Sequence, residues 1–131
     1  MKITKEILDD LTLQAKGNPR LRQSLDMRTT PNDNSQRMLN ALEPGTILPI
    51  HRHKDTSETL VMVRGRILQK MYDENGILTD EFVMETGSLN SVLQIARGQF
   101  HSLECLEEGT VIFEAKDGKY APLSDIDILN C

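Results

Sequence analysis

From Ser35 onward the chain is a succession of short apolar runs broken by turn signals. SQRMLNAL, GTILPIHRH, ETLVMVRG, RILQKMYD, DEFVME, SVLQI, HSLECL and TVIFEAK each have the length of a β-strand, and EPG, KDTS, DENG, ETGS, ARGQ and EEG separate them. Many short strands without intervening helices predict an antiparallel sandwich or barrel. Within DENG, Asn75-Gly76 suits the positive φ angles of a type I′ hairpin turn. Ahead of this block the period changes. Ile7, Leu8, Leu11 and Ala15 fall at helical spacing, with Thr4 as an N-cap and Gly17 as a stop, which predicts one helix over residues 4–16. Residues 18–34 mix Pro, Asn, Asp and Arg without a period and read as an irregular connection with room for a short helical turn. The expected organisation is therefore mainly β: an N-terminal helix and connection over residues 1–35, packed on one barrel over residues 36–131.

Composition narrows this picture. At 131 residues and 14.8 kDa the chain has the size of one domain. With 27% charged and 38% hydrophobic residues it has an ordinary globular balance, and no apolar run approaches the length of a bilayer span, so a membrane partner is not expected. The N-terminus carries acidic residues from position 6 and lacks the pattern of a signal peptide, which points to a cytoplasmic protein. Two cysteines, Cys105 and Cys131, are too few for a disulfide framework, and reduced thiols are expected. Net charge is −5. Residues 1–37 hold seven Lys or Arg against five Asp or Glu, and residues 38–131 hold eight against fifteen, which argues against nucleic acid as a partner. A single N-terminal helix also falls short of a helix-turn-helix, so a DNA-binding regulator ranks last among the function classes.

The chemistry concentrates in GTILPIHRHKDTSETLVMVRG, residues 45–65. On a strand, positions i and i+2 share a face, so His51 and His53 project together, and two adjacent imidazoles can chelate a divalent cation. An isolated HxH pair is more often a polar pair on a half-exposed strand. Here Glu58 opens the next strand, and the third and last histidine, His101, starts a later one after the Gly98 turn. Read as G-x5-H-x-H-x4-E-x6-G, the segment matches the first cupin motif at Gly45, His51, His53, Glu58 and Gly65. With this chain's own composition, such a match arises by chance on the order of 1 in 10⁵, which separates it from a lone HxH. The second cupin motif is looser. Gly87 opens it and Gly98 and His101 stand at the right separation, but the gap after Gly87 is long, Ala96 replaces a proline and Cys105 replaces a terminal asparagine.

The chain also resembles the WbuC family of cupin-fold metalloproteins. The likeness runs through NPRLR near residue 20, QRMLNALEPGT at 36–46, the His-Arg-His of 51–53 and HSLECLEEGTVIFEAKDGKYAP at 101–122. It implies a single cupin domain, a jelly-roll-like β-barrel, with a bound metal, and an association with O-antigen and other surface-polysaccharide gene clusters. Cupins commonly pair through their sheets, which implies a homodimer.

Three imidazoles and one carboxylate, His51, His53, Glu58 and His101, form an N3O set that suits one divalent transition metal, Fe, Mn, Ni, Zn or Cu, and lacks the thiolates of structural zinc. Four ligands leave open positions on an octahedral ion. For the surrounding pocket the candidates are Arg37 and Asn40 on the QRMLNAL run, Tyr72 and Cys105. Each has a plainer reading, a solvated arginine, an edge tyrosine or a small core cysteine. Arg20, Arg22, Arg28 and Arg37 would hold a carboxylate or phosphate if they fold over the barrel mouth. The expected function is a mononuclear metalloenzyme, an isomerase or epimerase, a lyase or an oxygenase, acting on a small polar molecule such as a sugar or nucleotide-sugar derivative. The competing expectation is a non-catalytic binding or sensing module. No general base stands out, because there is no fourth histidine and the remaining carboxylates sit mainly at turns.

Overall fold

The computed structural model describes residues 1–129; Cys131, one of the two expected thiols, lies outside the described residues. The expected helix forms as α1, Lys5–Gly17, with Thr4 as its N-cap accepting from the Ile7 amide. Ten strands follow: β1 (Arg22–Asp26), β2 (Gln36–Leu42), β3 (Ile50–His51), β4 (Glu58–Arg64), β5 (Arg66–Tyr72), β6 (Leu78–Glu85), β7 (Val92–Ile95), β8 (Phe100–Cys105), β9 (Thr110–Lys116) and β10 (Ile128–Leu129). They form two antiparallel five-stranded sheets, ordered β1-β2-β9-β4-β7 and β10-β3-β8-β5-β6. The fold is mainly β with one short N-terminal helix, as its strand pattern predicts. Among the described residues no helix is long and apolar enough to cross a membrane.

Two strands escape the apolar pattern. β1 lies inside the stretch read as an irregular connection, and its sequence RQSLD is too polar to signal a strand. It is held instead by its full ladder with β2, Arg22 opposite Leu42 through Asp26 opposite Met38. β10 is a two-residue strand against β3.

β2 shows why QRMLNAL has no clean alternation. Its odd positions Leu39 and Ala41 meet Leu11 and Ala15 of α1 together with Val111, while Leu42 turns into the space between the sheets with Leu60, Met62, Ile67, Met84, Cys105 and Ile112. A strand covered on both faces needs apolar residues at both parities. The inner cluster closes one end of the sandwich, and more polar side chains occupy the rest of the interior. The chain passes from the first sheet to the second at Gly65, with φ at +86°. A Cβ there would stand 2.8 Å from the Thr110 Cα, so only glycine lets β4 and β5 meet against β9.

Candidate metal centre

β3 and β8 are neighbours, and His51 lies directly opposite His101 in their register. β3 ends at His51, but the Arg52 amide bonds the Asp127 carbonyl and its guanidinium turns outward to the Asp127 carboxylate at 3.0 Å. His53, the next inward position, is therefore kept on the same side as His51. Glu58 arrives from the facing sheet, where it pairs with Ile95 on one side and Lys116 on the other. Three residues of one short segment, His51, His53 and Glu58, thus converge between the sheets with the distant His101.

Their geometry is that of a donor cluster. One ring nitrogen from each of His51, His53 and His101 lies within 4.8 Å of the others, so the three could hold a metal ion. Glu58 Oε2 stands 3.4 Å from Nε2 of both His53 and His101. The His51 Nδ1–H donates to the Pro49 carbonyl at 2.9 Å and the His101 Nδ1–H to the Gln99 carbonyl at 2.8 Å. Those bonds place the ring proton on Nδ1 and leave Nε2 as a bare lone pair facing inward. Glu58 Oε2 and His101 Nε2 are buried without any hydrogen-bond partner. Buried polar atoms are almost always paired, so two facing orphans, both electron donors, fit a cation between them.

The electrostatics agree. Burial, with the neighbouring His101 adding to it, pushes His51 down to about 4. Burial and then the Lys116 ammonium push His53 down to about 3. His101 is lowered mainly by burial. All three imidazoles are neutral at pH 7, the form that binds metal.

Around the cluster lies a cavity of about 240 Å³ between the inner faces of the sheets. Of the pocket residues expected from sequence, Asn40 lines it and donates to Glu114 Oε1 at 3.1 Å. Arg37 sits at an outward position of β2, bonded to Asp33 at 2.9 Å and to Ser35, away from the cavity. Tyr72 follows a register shift at the end of β5 and lies on an outer groove. Cys105 does face inward, but at the closed apolar end, where its thiol contacts the Leu42 and Glu107 carbonyls. Among the four arginines, Arg22 alone lines the cavity, held by its bond to the Ile47 carbonyl at 2.8 Å; Arg28 is tied to Asp26.

Among the cavity residues not expected from sequence are Glu114, Lys116 and Gln69. Glu114, from the middle of β9, lies between Asn40 and Lys116, whose Nζ is 3.7 Å from its Oε2; burial, and then the Glu58 charge, push its carboxyl up to about 8. Lys116 is the inward neighbour of Glu58 across the ladder. Gln69 of β5 is fully buried, lines the cavity, and its Oε1 has no partner. The available signal was parity: inward-facing Ile112 makes positions 114 and 116 of β9 inward as well.

Comparison with known proteins places this geometry. The family described as Domain of unknown function (DUF6016) matches residues 3–84. Curated proteins give no match to the sequence. Among solved structures, KdgF from Halomonas sp. is similar at TM-score 0.63 and 13% identity, over 79% of this chain and 84% of that one. The capsular polysaccharide assembling protein CapF from Staphylococcus aureus is similar at 0.66 and 22%, over 80% of this chain and 28% of that one. The Cnp3 cupin domain from Schizosaccharomyces pombe is similar at 0.60 and 11%, over 74% and 64%. The chain thus spans less than a third of the CapF chain and just under two thirds of the Cnp3 chain. At these identities the likeness establishes the cupin fold.

Proposed function

The chain belongs to the DUF6016 family, a domain of unknown function, so its activity has to be read from the site, and we propose that it is a metal-dependent cupin enzyme in which His51, His53, Glu58 and His101 hold one divalent transition ion. The observation that carries this reading is the pair of buried, unpartnered donors, Glu58 Oε2 and His101 Nε2, 3.4 Å apart beside two further neutral imidazoles. When bound, such an ion supplies Lewis acidity toward an oxygen of a ligand in the cavity. The chain's own residues do the rest. Asn40 orients the Glu114 carboxyl by donating to Oε1, which leaves Oε2 toward Lys116. Glu114 is the group placed to hold or move a proton beside the ion, and it makes an enzyme the better reading over a sensing module. Leu60, Leu103 and Ile112 supply an apolar wall of the cavity.

The substrate class is a small polar molecule such as a sugar or nucleotide-sugar derivative. Supporting it are the resemblance to the WbuC family and the similarity of fold to CapF, a capsular polysaccharide assembling protein that has also been solved with the inhibitor 3-isopropenyl-tropolone. Surface-polysaccharide assembly, a cytoplasmic location and a homodimer paired through its sheets complete the proposal. The test is metal content. Untagged protein, measured by elemental analysis, is expected to carry close to one transition ion per chain. His51→Ala and His101→Ala are each expected to lose most of it, and unchanged content in both would overturn the site. Turnover of sugar phosphates or dioxygen with candidate metals restored separates an enzyme from a binding module.

A further inference from the structure

The metal cluster leaves three features of the cavity without a purpose. Gln69 is completely buried, its amide lies against the cavity, and its Oε1 meets no donor; the amide nitrogen has only the Met71 sulfur at 3.8 Å. It sits opposite Leu103 on β8, one inward position below His101, so its orphan acceptor faces the layer just beneath the ion site. An acceptor buried in this way requires a donor from whatever fills the cavity.

The second feature is charge. On a chain with a net charge of −5, Lys116 stands inside the cavity and again in the adjoining groove of about 320 Å³, where Lys54 and Lys119 join it. Arg22 enters the cavity from β1, and among the described residues no carboxylate forms an ion pair with Arg22, Lys54 or Lys119. Opposing them are Glu58 and Glu114 within and Asp55 and Asp127 at the groove, with Asp127 already paired to Arg52. With Glu114 counted as ionised the lining charges cancel, four against four, and Arg52 and a divalent ion then make the region positive by about three charges. With Glu114 protonated the excess is about four, and in both cases it draws an anion.

The third is size. With about 30 Å³ for each water, a cavity of about 240 Å³ takes roughly eight waters, the bulk of one hexose ring and its substituents. A nucleotide would stay outside, in the lysine-lined groove. Building on the metal reading above, we infer that the site takes a small hydroxylated anion, a sugar carboxylate or sugar phosphate, with its anionic group at Lys116 and a hydroxyl donating to Gln69. Lys116 fits the first role because it bridges cavity and groove beside Glu58. Gln69 fits the second because a neutral acceptor recognises a hydroxyl and gains nothing from an anion.

The test is calorimetric titration of the full chain loaded with manganese(II), using D-glucuronate, D-glucose 1-phosphate, neutral D-glucose and inorganic phosphate. At least one sugar anion is expected to bind about tenfold or more tightly than glucose, and which one it is distinguishes carboxylate from phosphate. Lys116→Met is expected to bring that ligand to the level of glucose with manganese stoichiometry unchanged, while Lys116→Arg keeps most of the affinity. Gln69→Leu is expected to weaken the sugar anion several-fold and leave inorganic phosphate unaffected. Manganese bound at full stoichiometry with glucose as tight as both anions, or with Lys116→Met without effect, overturns the anion assignment alone. Failure to bind manganese or any other transition ion overturns the metal reading on which it rests.

Discussion

At the residue scale the site is a balance of protonation states that has a measurable signature in the metal-free protein. His51 and His53 titrate near 4 and 3 in the fold against about 6.5 in the unfolded chain, so the unfolded state binds more protons between these values. Their contribution to stability is present above pH 6.5 and is lost as pH falls through the folded values. Glu114 acts in the opposite sense. Its folded value of about 8 lies above the ordinary 4.5, so its contribution is present below pH 4.5 and is lost as pH rises toward 8. Above pH 6.5 only Glu114 of this group still changes, which gives a clean window. Chelated protein is expected to lose urea resistance between pH 6.5 and 8, and Glu114→Gln is expected to flatten that slope. A slope unchanged in the variant would mean that Glu114 is ionised throughout. With metal present, Glu58→Gln keeps the shape of a ligand but removes its charge, and metal affinity is expected to fall by about tenfold or more in a chelator competition.

At the scale of elements, the glycine between β4 and β5 decides whether the two sheets can join. Gly65→Ala is expected to cost about 2 kcal/mol or more in urea unfolding, because a positive φ is combined with backbone of Thr110 only 2.8 Å from the new methyl. Gly87→Ala, at φ +80° with open space around it, is expected to cost only about 1 kcal/mol. Equal costs at the two sites would remove the close approach as the reason for glycine at Gly65. That position was legible beforehand, because it closes the motif begun at Gly45. Strands β4, β5 and β6 were legible as short apolar runs between turn signals, and the helix through its 3.6-residue period. β1 was not, since RQSLD owes its conformation to the ladder with β2 and to no property of its own side chains. The site divides in the same way. His51, His53, Glu58 and His101 follow a spacing that sequence carries. Gln69, Glu114 and Lys116 look like ordinary polar interruptions of RILQKMY and TVIFEAK until register shows which face each one occupies. The expectation that the remaining carboxylates sit at turns fails at Glu114 for this reason.

For the whole molecule, the separation between core and site determines what metal removal does. The inner cluster around Leu60, Ile67 and Ile112 and the outer cluster where α1 meets Leu39 and Val111 contain none of the four proposed ligands. Apolar burial in those clusters, at about 25 cal/mol per Å², stabilises the two sheets without help from an ion. A zinc finger unfolds when its metal is removed because it lacks such a core, whereas this chain is expected to stay folded after chelation, with its near-ultraviolet circular dichroism and cooperative melting retained. Binding still adds to stability. At a free metal concentration a hundredfold above Kd the gain is about 2.7 kcal/mol, which for a domain of this size raises Tm on the order of 10 °C. Restoring the ion should return that increment to the wild-type chain and not to His51→Ala. If chelation abolishes the cooperative transition, the ion is structural, and the open, ligand-exchanging centre proposed here gives way to a site whose purpose is to hold the sheets together.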